Sequence, residues 1–600
     1  MVLRQTSSYP PDPKMEEPAE KKQKIGSDDE ENEGISEIAQ LQASILSQCL
    51  CNVSESSLRK PFTNNSMSVG DKTLRSSVLT DWQPDKCLEF LSALQLLFDV
   101  AIKQNTRGVM CTRIADVCRA LSRNEHGIVD QIVDLSCTNN KFISFSASRV
   151  LASFFIITKE NVEVSWLERL TQNLVSTNSP TQMLFTLEVI KRVVEHKDCS
   201  IHPLEDSETS HPPEGCNIIS ISDPESLDSS HVKAMCVKAL ESKWTILVTK
   251  FYAILRSYTP QHEAVVITFL DLWESIISVK ANLSVIDTKL FYAQLDKLVV
   301  LLNANVPGVI WRHLLGLFNE VLCYGSTLAL QDVLPDEPCS LAHSIVRAVK
   351  GREPNSPPNG LLMSLPYRHG SGRFGGGTGD GDQPLLQKVV LLVLKSVAVT
   401  IKETRSDSSD SSLASDAEDL DADMAAIGRS ISEVLRQLDQ CVKLLMPFHP
   451  EMPLSQWVVQ MFHDQDDFLI EGMVCCLDIA NGLFYIGPQN ELGNMLSPTL
   501  TFVQFIRAVS HDHDVLLDFL VSNETCFLLY LYRFLKYIRR FWSEFVSCCG
   551  RDIDDTMAVL ANLKQAIDRL VSKDLFPYNI SPVLRLLEKC ESLYEGSIDN

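Results

Sequence analysis

The sequence lacks the short motifs that mark the common enzyme classes. No Gly-x-Ser-x-Gly, His-Glu-x-x-His or P-loop segment occurs in its 600 residues. These motifs place a nucleophilic serine, a zinc ion and a bound phosphate, respectively. Their absence weakens assignment to hydrolases, metalloproteases or nucleotide-dependent enzymes without excluding other catalysis. We therefore expect a protein that is not an enzyme and that needs no cofactor.

Cysteines are frequent, but they lack the spacing of a redox or zinc motif. None of the 18 cysteines belongs to a Cys-x-x-Cys segment. Most of them lie in helical patterns, as small buried hydrophobic residues do. We therefore expect no metal site and a protein of a reducing compartment.

The sequence pattern shows neither a secretory signal nor a membrane-spanning segment. Residues 1–34 are polar and charged, unlike a secretory signal. No charge-free run approaches the roughly 18 residues that cross a bilayer. The best stretch, residues 385–401, contains Lys388 and Lys395. We expect a soluble protein without a membrane partner.

Positive charge is absent from three acidic runs. Asp28–Glu33, Asp198–Asp228 and Asp407–Asp423 together hold twenty acidic residues and no Lys or Arg, so most of the formal net charge of -23 belongs to them. Such composition predicts disorder. The folded remainder is close to neutral, so charge gives no reason to expect direct binding of nucleic acid.

A basic segment lies in the predicted disordered tail, residues 1–34. Lys21, Lys22 and Lys24 precede an acidic serine site and resemble a short nuclear-import signal. An import receptor needs exposed, extended lysines, which a disordered tail supplies. A charged patch without that role is equally compatible with the pattern.

Apolar residues recur at helical spacing through most of the chain, and strand-type alternation is absent. Short connections between helices with wide apolar faces predict an all-α, extended armadillo- or HEAT-like solenoid. The predicted organisation is helical repeats at 35–197, 231–352 and 425–549, a further helix at 384–404, and a C-terminal helical module at 550–600.

Two acidic insertions and a glycine-rich loop interrupt the predicted repeats. Residues 198–230 form the first insertion, in which Ile218, Ile219 and Ile221 have the pattern of a strand that binds a small modifier protein of the SUMO type. Such short patterns often arise by chance, so a stray apolar patch in a linker is the simpler explanation. Residues 405–424 form the second insertion, a serine-rich tether or phosphorylation target.

The loop at 353–383 contains a formal dinucleotide fingerprint, residues 370–375. We reject it because no strand precedes it and no helix begins at its end. His511 and His513, with neighbouring carboxylates, could ligate zinc, but a third ligand at a defined position is missing. Polar capping of a helix explains the two histidines better.

The densest apolar segment runs from Phe527 to Phe545 and contains eight aromatic residues. Its periodicity predicts one long helix with a buried aromatic stripe. Arg533, Lys536 and Arg540 fall on the opposite side, where they form a basic face. This face either binds an acidic partner or is simply solvated.

Several blocks near the C-terminus resemble the Lines family. The most specific is the long segment Asp514-Val-Leu-Leu-Asp-Phe-Leu-Val-Ser-Asn-Glu-Thr-Cys-Phe; the others are Asp464-Gln-Asp-Asp, Tyr530-Leu-Tyr-Arg-Phe-Leu-Lys, Asp574-Leu-Phe-Pro-Tyr-Asn and Leu584-Arg-Leu-Leu. The resemblance implies a large N-terminal helical region followed by a short C-terminal segment, and it supplies no catalytic residue.

The resemblance also implies a developmental regulator of the cytoplasm and nucleus. Family members are linked to Wnt-dependent patterning and to control of zinc-finger transcription factors of the odd-skipped type. We therefore expect protein partners among signalling and transcription regulators. Two alternatives stay open: a nuclear transport or assembly scaffold, and an unrecognised enzyme that uses His511 and His513.

Overall fold

The structure is a computed structural model that describes residues 41–54, 78–124, 127–198, 215–220, 228–280, 289–303, 305–351, 360–366, 382–410, 417–446, 448–486 and 495–598. Within these ranges the chain is about 78% helical with almost no sheet, and the predicted all-α solenoid is confirmed. Lys21, Lys22, Lys24, Ile221 and the loop at 370–375 lie outside the described residues.

Residues 41–46 are helical, and the part of the chain that the structure describes contains two strands, β1 (Val109–Cys111) and β2 (Ile218–Ser220). The further α-helices span Pro84–Thr106, Thr112–Ser122, Ile128–Asp134, Lys141–Thr158, Val164–Ser176, Pro180–Glu195, Ser230–Glu241, Trp244–Arg256, Glu263–Lys280, Lys289–Tyr292, Leu295–Leu298, Gly308–Val321, Asp336–Lys350, Gln383–Asp410, Ala417–Leu445, Leu454–Met461, Asp466–Ile486, Pro498–Ala508, His513–Val521, Phe527–Arg540, Trp542–Cys549, Ile553–Ser572 and Ser581–Ile598.

The chain divides into two compact units. The first contains residues 1–131 and 200–222, and the second contains residues 132–199 and 223–600. Asp198 and Ser229 lie at the two ends of the first acidic insertion and are hydrogen-bonded within the second unit: the Ser229 hydroxyl donates to the Asp198 carboxylate at 2.8 Å. This bond holds the two ends of the insertion together.

The first unit contains both strands of the described residues, and the sequence pattern indicates a strand only at β2. β1 and β2 pair antiparallel, with Val109 opposite Ser220 and Cys111 opposite Ile218. Residues 109–111 lie within the predicted helical repeats of 35–197 but form a strand, and the helix that follows begins at Thr112. Residues 218–220 form a strand inside the predicted acidic insertion. Three-residue strands are too short for alternation to reveal.

The second unit is a series of stacked helices. Each of a set of inner helices packs against the next one in the set. In chain order this set is Lys141–Thr158, Pro180–Glu195, Glu263–Lys280, Gly308–Val321, Gln383–Asp410, Asp466–Ile486, Phe527–Arg540 and Ser581–Ile598. The intervening helices form a second layer, as stacked helix pairs do in a solenoid.

Small residues allow close approach where the inner helices meet. In Lys141–Thr158, the residues Ser144, Ala147 and Ser148 are all buried, and this helix packs against Pro180–Glu195. A side chain no larger than a methyl or hydroxymethyl group lets the backbones come together without leaving a cavity.

Gly482 marks a close contact between two inner helices. It lies in Asp466–Ile486, and a Cβ atom added to it would lie 2.2 Å from Cγ2 of the buried Ile401. We expect Gly482→Ala to destabilise the protein by about 1–3 kcal/mol through overpacking, although alanine is the better helix former. Chemical denaturation of the full chain measures this effect.

Gly596 provides the matched control. It lies in Ser581–Ile598, and an added Cβ atom would meet nothing within 4 Å. Gly596→Ala should therefore stabilise the protein by up to about 1 kcal/mol through helix propensity. Equal effects of the two substitutions would contradict the close packing inferred at Gly482.

Among the described residues, two helices are long and apolar enough to span a membrane by length and composition, Lys141–Thr158 and the stretch Gln383–Arg405. Their most apolar windows are 67% and 89% buried within the protein. Lys395 of the second helix is also paired with Glu471 at 2.7 Å. Burial and pairing of this kind are typical of core helices.

The second acidic insertion differs from its predicted boundaries. The helix predicted to end at residue 404 continues to Asp410, and the next helix begins at Ala417 rather than at about residue 425. Polar composition does not prevent such extension, because each residue added to an existing helix gains a backbone hydrogen bond.

A candidate basic cavity beside the aromatic helix

The helix Phe527–Arg540, hereafter the aromatic helix, buries one face and presents the other to a cavity. Its buried residues are Phe527, Tyr530, Leu531, Phe534, Leu535, Tyr537 and Ile538. The predicted single helix is in fact two, because Phe541 leaves the helical conformation and Trp542–Cys549 follows as a separate helix.

The break has a packing cause. The rings of Phe534 and Phe545 are 6.3 Å apart. Eleven residues of continuous α-helix would separate them by about 16 Å along the axis. Turning the chain at Phe541 therefore brings Phe545 back against the aromatic stripe, where it is fully buried.

A cavity of about 640 Å³ lies along the polar side of the aromatic helix. Its basic residues come from two helices, with Lys402 and Arg405 on Gln383–Asp410 and the others on the aromatic helix. The lining residues are Tyr324, Ala398, Ile401, Lys402, Arg405, Asp478, Asn481, Arg533, Lys536, Tyr537, Arg540 and Phe541. Five of these are cationic, and Asp478 is the single carboxylate among them.

Arg533 and Asp478 form the structural part of the cavity. Nη1 of Arg533 donates to the Asp478 carboxylate, and Nη2 donates to the Ala329 carbonyl at 2.7 Å. The hydroxyl of Tyr324 donates to the same carboxylate at 3.0 Å. Arg533 was predicted to be a member of an exposed basic face, but it is largely occupied by these contacts.

Lys402 extends the same network. Its Nζ donates to the carbonyls of Leu328 and Ala329 at 2.8 and 2.7 Å. Burial lowers the pKa of Lys402, and the neighbouring Arg533 charge acts in the same direction. Burial raises the pKa of Asp478, while the charges of Arg533 and Lys402 oppose this rise.

Arg405, Lys536 and Arg540 form the exposed rim. Lys536 Nζ lies 4.6 Å from the centroid of the Tyr532 ring, and the Arg540 guanidinium lies 5.1 Å from that of Phe541. Cation–π contacts of this kind are weakly attractive at exposed sites and so favour one orientation of a long side chain. The rim therefore presents oriented positive charge to solvent.

The cavity suits an anionic group. Guanidinium and ammonium groups bind carboxylates and phosphates through charge-assisted hydrogen bonds. Cationic side chains outnumber carboxylates among the residues that line the cavity, and three of the five cations lie at the rim. The arrangement can hold an acidic side chain or a phosphorylated residue of a partner.

A second cavity, of about 710 Å³, lies beside the first half of the aromatic helix, where Leu528, Leu529 and Tyr532 line it. Its acidic residues are Asp467, Glu471 and Glu524. Glu471 is held in place, since it accepts from the backbone N–H groups of Tyr324 and Gly325 at 2.8 and 3.0 Å. The aromatic helix thus contributes to two cavities of different charge.

Ile218 and Ile219 of the predicted modifier-binding strand lie in β2. Their side chains are 47% and 37% exposed, and one edge of their strand is paired with β1. Modifier binding by this strand stays a prediction.

The described residues contain one group of three or more metal-ligating side chains whose ligand atoms converge, and it does not include the histidines. That group is Cys49, Cys51, Cys111 and Cys216 of the first unit. His513 Nε2 lies 3.5 Å from the Asp514 carboxylate. The helix beginning there is capped by Asp512, which accepts from the Asp514 N–H at 2.9 Å.

Fold and cavity together define an all-α helical-repeat protein with a basic surface cavity. The family model for the Lines N-terminus matches residues 217–549, and the model for the Lines C-terminus matches residues 556–592. The chain therefore belongs to the Lines family, as its sequence motifs indicated. Family membership implies a developmental regulator.

Relatives agree with this assignment. The chain is 40% identical to "Protein lines" of Drosophila melanogaster over 688 aligned positions, which cover 94% of this chain and 80% of the relative. It is 25% identical to "Protein Lines homolog 1" of Homo sapiens over 325 positions, which cover 48% of this chain and 39% of that protein. No solved structure matches the chain.

Proposed function

We propose that this protein is a non-enzymatic regulator that acts by binding partner proteins, and that an acidic segment of a partner occupies the basic cavity. The observation that carries the proposal is the excess of cations around an open cavity in a helical-repeat body. Solenoids use their long surfaces for protein recognition, and patches of one charge select partners of the opposite charge.

The contacts of the basic residues support different roles for the inner pair and the rim. Arg533 and Lys402 hold neighbouring segments of the fold through carbonyl and carboxylate contacts. Lys536 and Arg540 are exposed at the rim. Partner binding is therefore assigned to the rim, and the inner pair supports it.

Family membership supports a proposal about the biological setting. We infer action in developmental signalling, with Wnt-dependent patterning and control of zinc-finger transcription factors as its targets, in both cytoplasm and nucleus. Proximity labelling of the full chain in cells tests this setting. A neighbour list without nuclear regulators and without pathway components would overturn it.

Charge reversal at the rim tests the cavity. Lys536→Glu combined with Arg540→Glu should weaken partner capture at least tenfold, because both side chains face an acidic ligand. Arg539→Glu combined with Arg569→Glu is the matched control: it makes the same change of charge at exposed residues that do not line the cavity. Quantitative affinity capture from cells compares the variants.

Two results would contradict the cavity proposal. The first is unchanged capture by the rim variant, and the second is an equal loss in the control variant. The comparison requires that both variants and the parent protein have equal melting temperatures. We expect this result because the substituted residues are exposed.

The solenoid architecture also favours a second function, a nuclear transport or assembly scaffold. A scaffold of this kind should bind transport factors even when Lys21, Lys22 and Lys24 are replaced by alanine. A cargo should instead lose nuclear entry on the same replacement. Measurement of both properties in one variant distinguishes the two functions.

A further inference from the structure

Four cysteine side chains from distant parts of the sequence meet in the first unit. The sulfur atoms of Cys49, Cys51, Cys111 and Cys216 all lie within 4.8 Å of one another. Cys49 and Cys111 are buried, and Cys51 and Cys216 are half-buried. Cys51 and Cys216 are 165 residues apart in sequence. Such convergence requires the fold, because no short motif contains the four residues.

The spacing of the sulfurs is that of ligands sharing one metal ion. Sγ of Cys51 lies 3.7 Å from Sγ of Cys111 and 3.8 Å from Sγ of Cys216. A tetrahedral zinc ion with Zn–S bonds of about 2.3 Å separates its sulfurs by about 3.8 Å. A disulfide would require about 2.05 Å. An iron–sulfur cluster spreads its cysteines over several iron atoms and so places them farther apart.

The two strands position two of the four sulfurs. Cys111 is the last residue of β1, and Cys216 comes two residues before β2. Beyond the paired residues, both the N–H and the hydroxyl of Thr112 donate to the Asn217 carbonyl, each at 2.9 Å. These bonds fix the approach of Cys216 to Cys111.

Gln104 positions the other two sulfurs. Its side chain is buried and joins the segment that carries Cys49 and Cys51 to β1. Nε2 of Gln104 donates to the Gln48 carbonyl at 2.7 Å, and its Oε1 accepts from the Cys111 N–H at 3.0 Å. A buried side-chain amide with both ends bonded holds two backbone segments in register.

Backbone N–H groups also point at the sulfurs. The Asn217 N–H donates to Sγ of Cys51, and the Cys51 N–H donates to Sγ of Cys49, both at 3.4 Å. Hydrogen bonds to metal-bound sulfur orient the ligands and stabilise their negative charge. Four thiols that served only as packing would not need such donors.

We propose that Cys49, Cys51, Cys111 and Cys216 bind a single zinc ion in a closed structural site. Four thiolates in a tetrahedron are the ligand set of structural zinc and leave no open position for a substrate. Oxygen-preferring Ca²⁺ and Mg²⁺ are unsuited to sulfur ligands. The ion joins three chain segments: residues 49–51, the end of β1 and the start of β2.

The site explains why short strands can form here. A three-residue strand pair contributes little stability by itself. A zinc ion that links Cys111 to Cys216 closes the long connection between the strands and holds their register. Metal-binding free energy then becomes folding free energy of the first unit.

Metal analysis of the purified full chain tests the proposal. Inductively coupled plasma mass spectrometry should find about one zinc per chain after dialysis. Replacement by Co²⁺ should give the intense visible absorption of a tetrahedral thiolate site. Cys51→Ser combined with Cys216→Ser should lose at least 80% of the bound metal, whereas Cys137→Ser, at an exposed cysteine outside the group, should keep it.

Alkylation of the parent protein provides a readout that does not depend on a variant folding. Cys51 and Cys216 should resist modification until a strong chelator is added, whereas Cys137 should react in both conditions. Absence of metal in protein with four reactive thiols would overturn the proposal. So would a disulfide among the four residues in protein purified under reducing conditions.

Discussion

Phe534→Ala is expected to lower the free energy of unfolding by about 3–5 kcal/mol, the range for removal of a large buried aromatic side chain. Phe534 is fully buried at the centre of the aromatic helix. Its ring lies 4.3 Å from that of Phe502 and stacks on Tyr530 at 5.7 Å. Removal of the ring leaves a cavity lined by aromatic groups that cannot all move inward.

Chemical denaturation followed by tryptophan fluorescence measures this loss. Leu528→Ala is the control on the same helix, because Leu528 is 37% exposed beside the second cavity. Its substitution should cost less than about 1 kcal/mol. Equal stability of the Phe534 variant and the parent protein would show that the aromatic stripe is not part of the core.

Arg533→Ala is expected to lower the free energy of unfolding by about 3 kcal/mol, because it leaves the Asp478 carboxylate without its main counter-ion. The two side chains are only 26% and 18% exposed. The value is near the lower end of the range for breaking a buried pair, since some solvent reaches both groups. Loss of the bond to the Ala329 carbonyl contributes to the same effect.

The cost should depend on pH. Burial raises the pKa of Asp478 in the folded parent protein, and Arg533 opposes the rise. Removal of Arg533 raises this pKa further above the unfolded value. For a carboxyl group with a raised pKa, ionisation destabilises the folded state, so the penalty is largest at high pH. The difference between variant and parent should therefore shrink as the pH falls toward 4.

Stability measurements at pH 5 and pH 8 test both the size of the loss caused by Arg533→Ala and its dependence on pH. Arg539→Ala, at an exposed position of the same helix, should change stability by less than about 0.5 kcal/mol at either pH. The double variant Arg533→Met with Asp478→Leu should regain part of the loss, since no buried charge remains. A loss that is equal at pH 5 and pH 8 would contradict the ion-pair explanation.

The helical body was predictable because its signals are local and long. Apolar periodicity predicted the solenoid, and the density of aromatic residues predicted the buried stripe around Phe534. The end of the aromatic helix was not predictable, because the turn at Phe541 depends on the contact between Phe534 and Phe545. Helical periodicity does not contain that contact.

Only some of the residues that line the candidate basic cavity were predictable from the sequence. Helical spacing placed Arg533, Lys536 and Arg540 together on one side. It did not indicate that Arg533 pairs with Asp478, which is 55 residues away in sequence. Lys402 and Arg405 were missed because they come from another helix, and no pattern within one segment relates the two.

The cysteine group shows the same limit. A search for Cys-x-x-Cys finds nothing, yet Cys49 and Cys51 already form a Cys-x-Cys pair. That pair is the one signal that was present in the sequence. The other two cysteines of the group, Cys111 and Cys216, are placed near Cys49 and Cys51 by the pairing of two three-residue strands. That pairing is a tertiary contact.

The salt dependence of partner affinity tests the central claim, that the rim of the basic cavity binds an acidic partner segment, most directly. For the parent protein, the dissociation constant should rise steeply between about 50 and 300 mM salt, because screening weakens exposed charge pairs. For Lys536→Glu with Arg540→Glu, affinity should be at least tenfold weaker at low salt and nearly independent of salt. The same affinity and the same salt dependence in both proteins would contradict the claim.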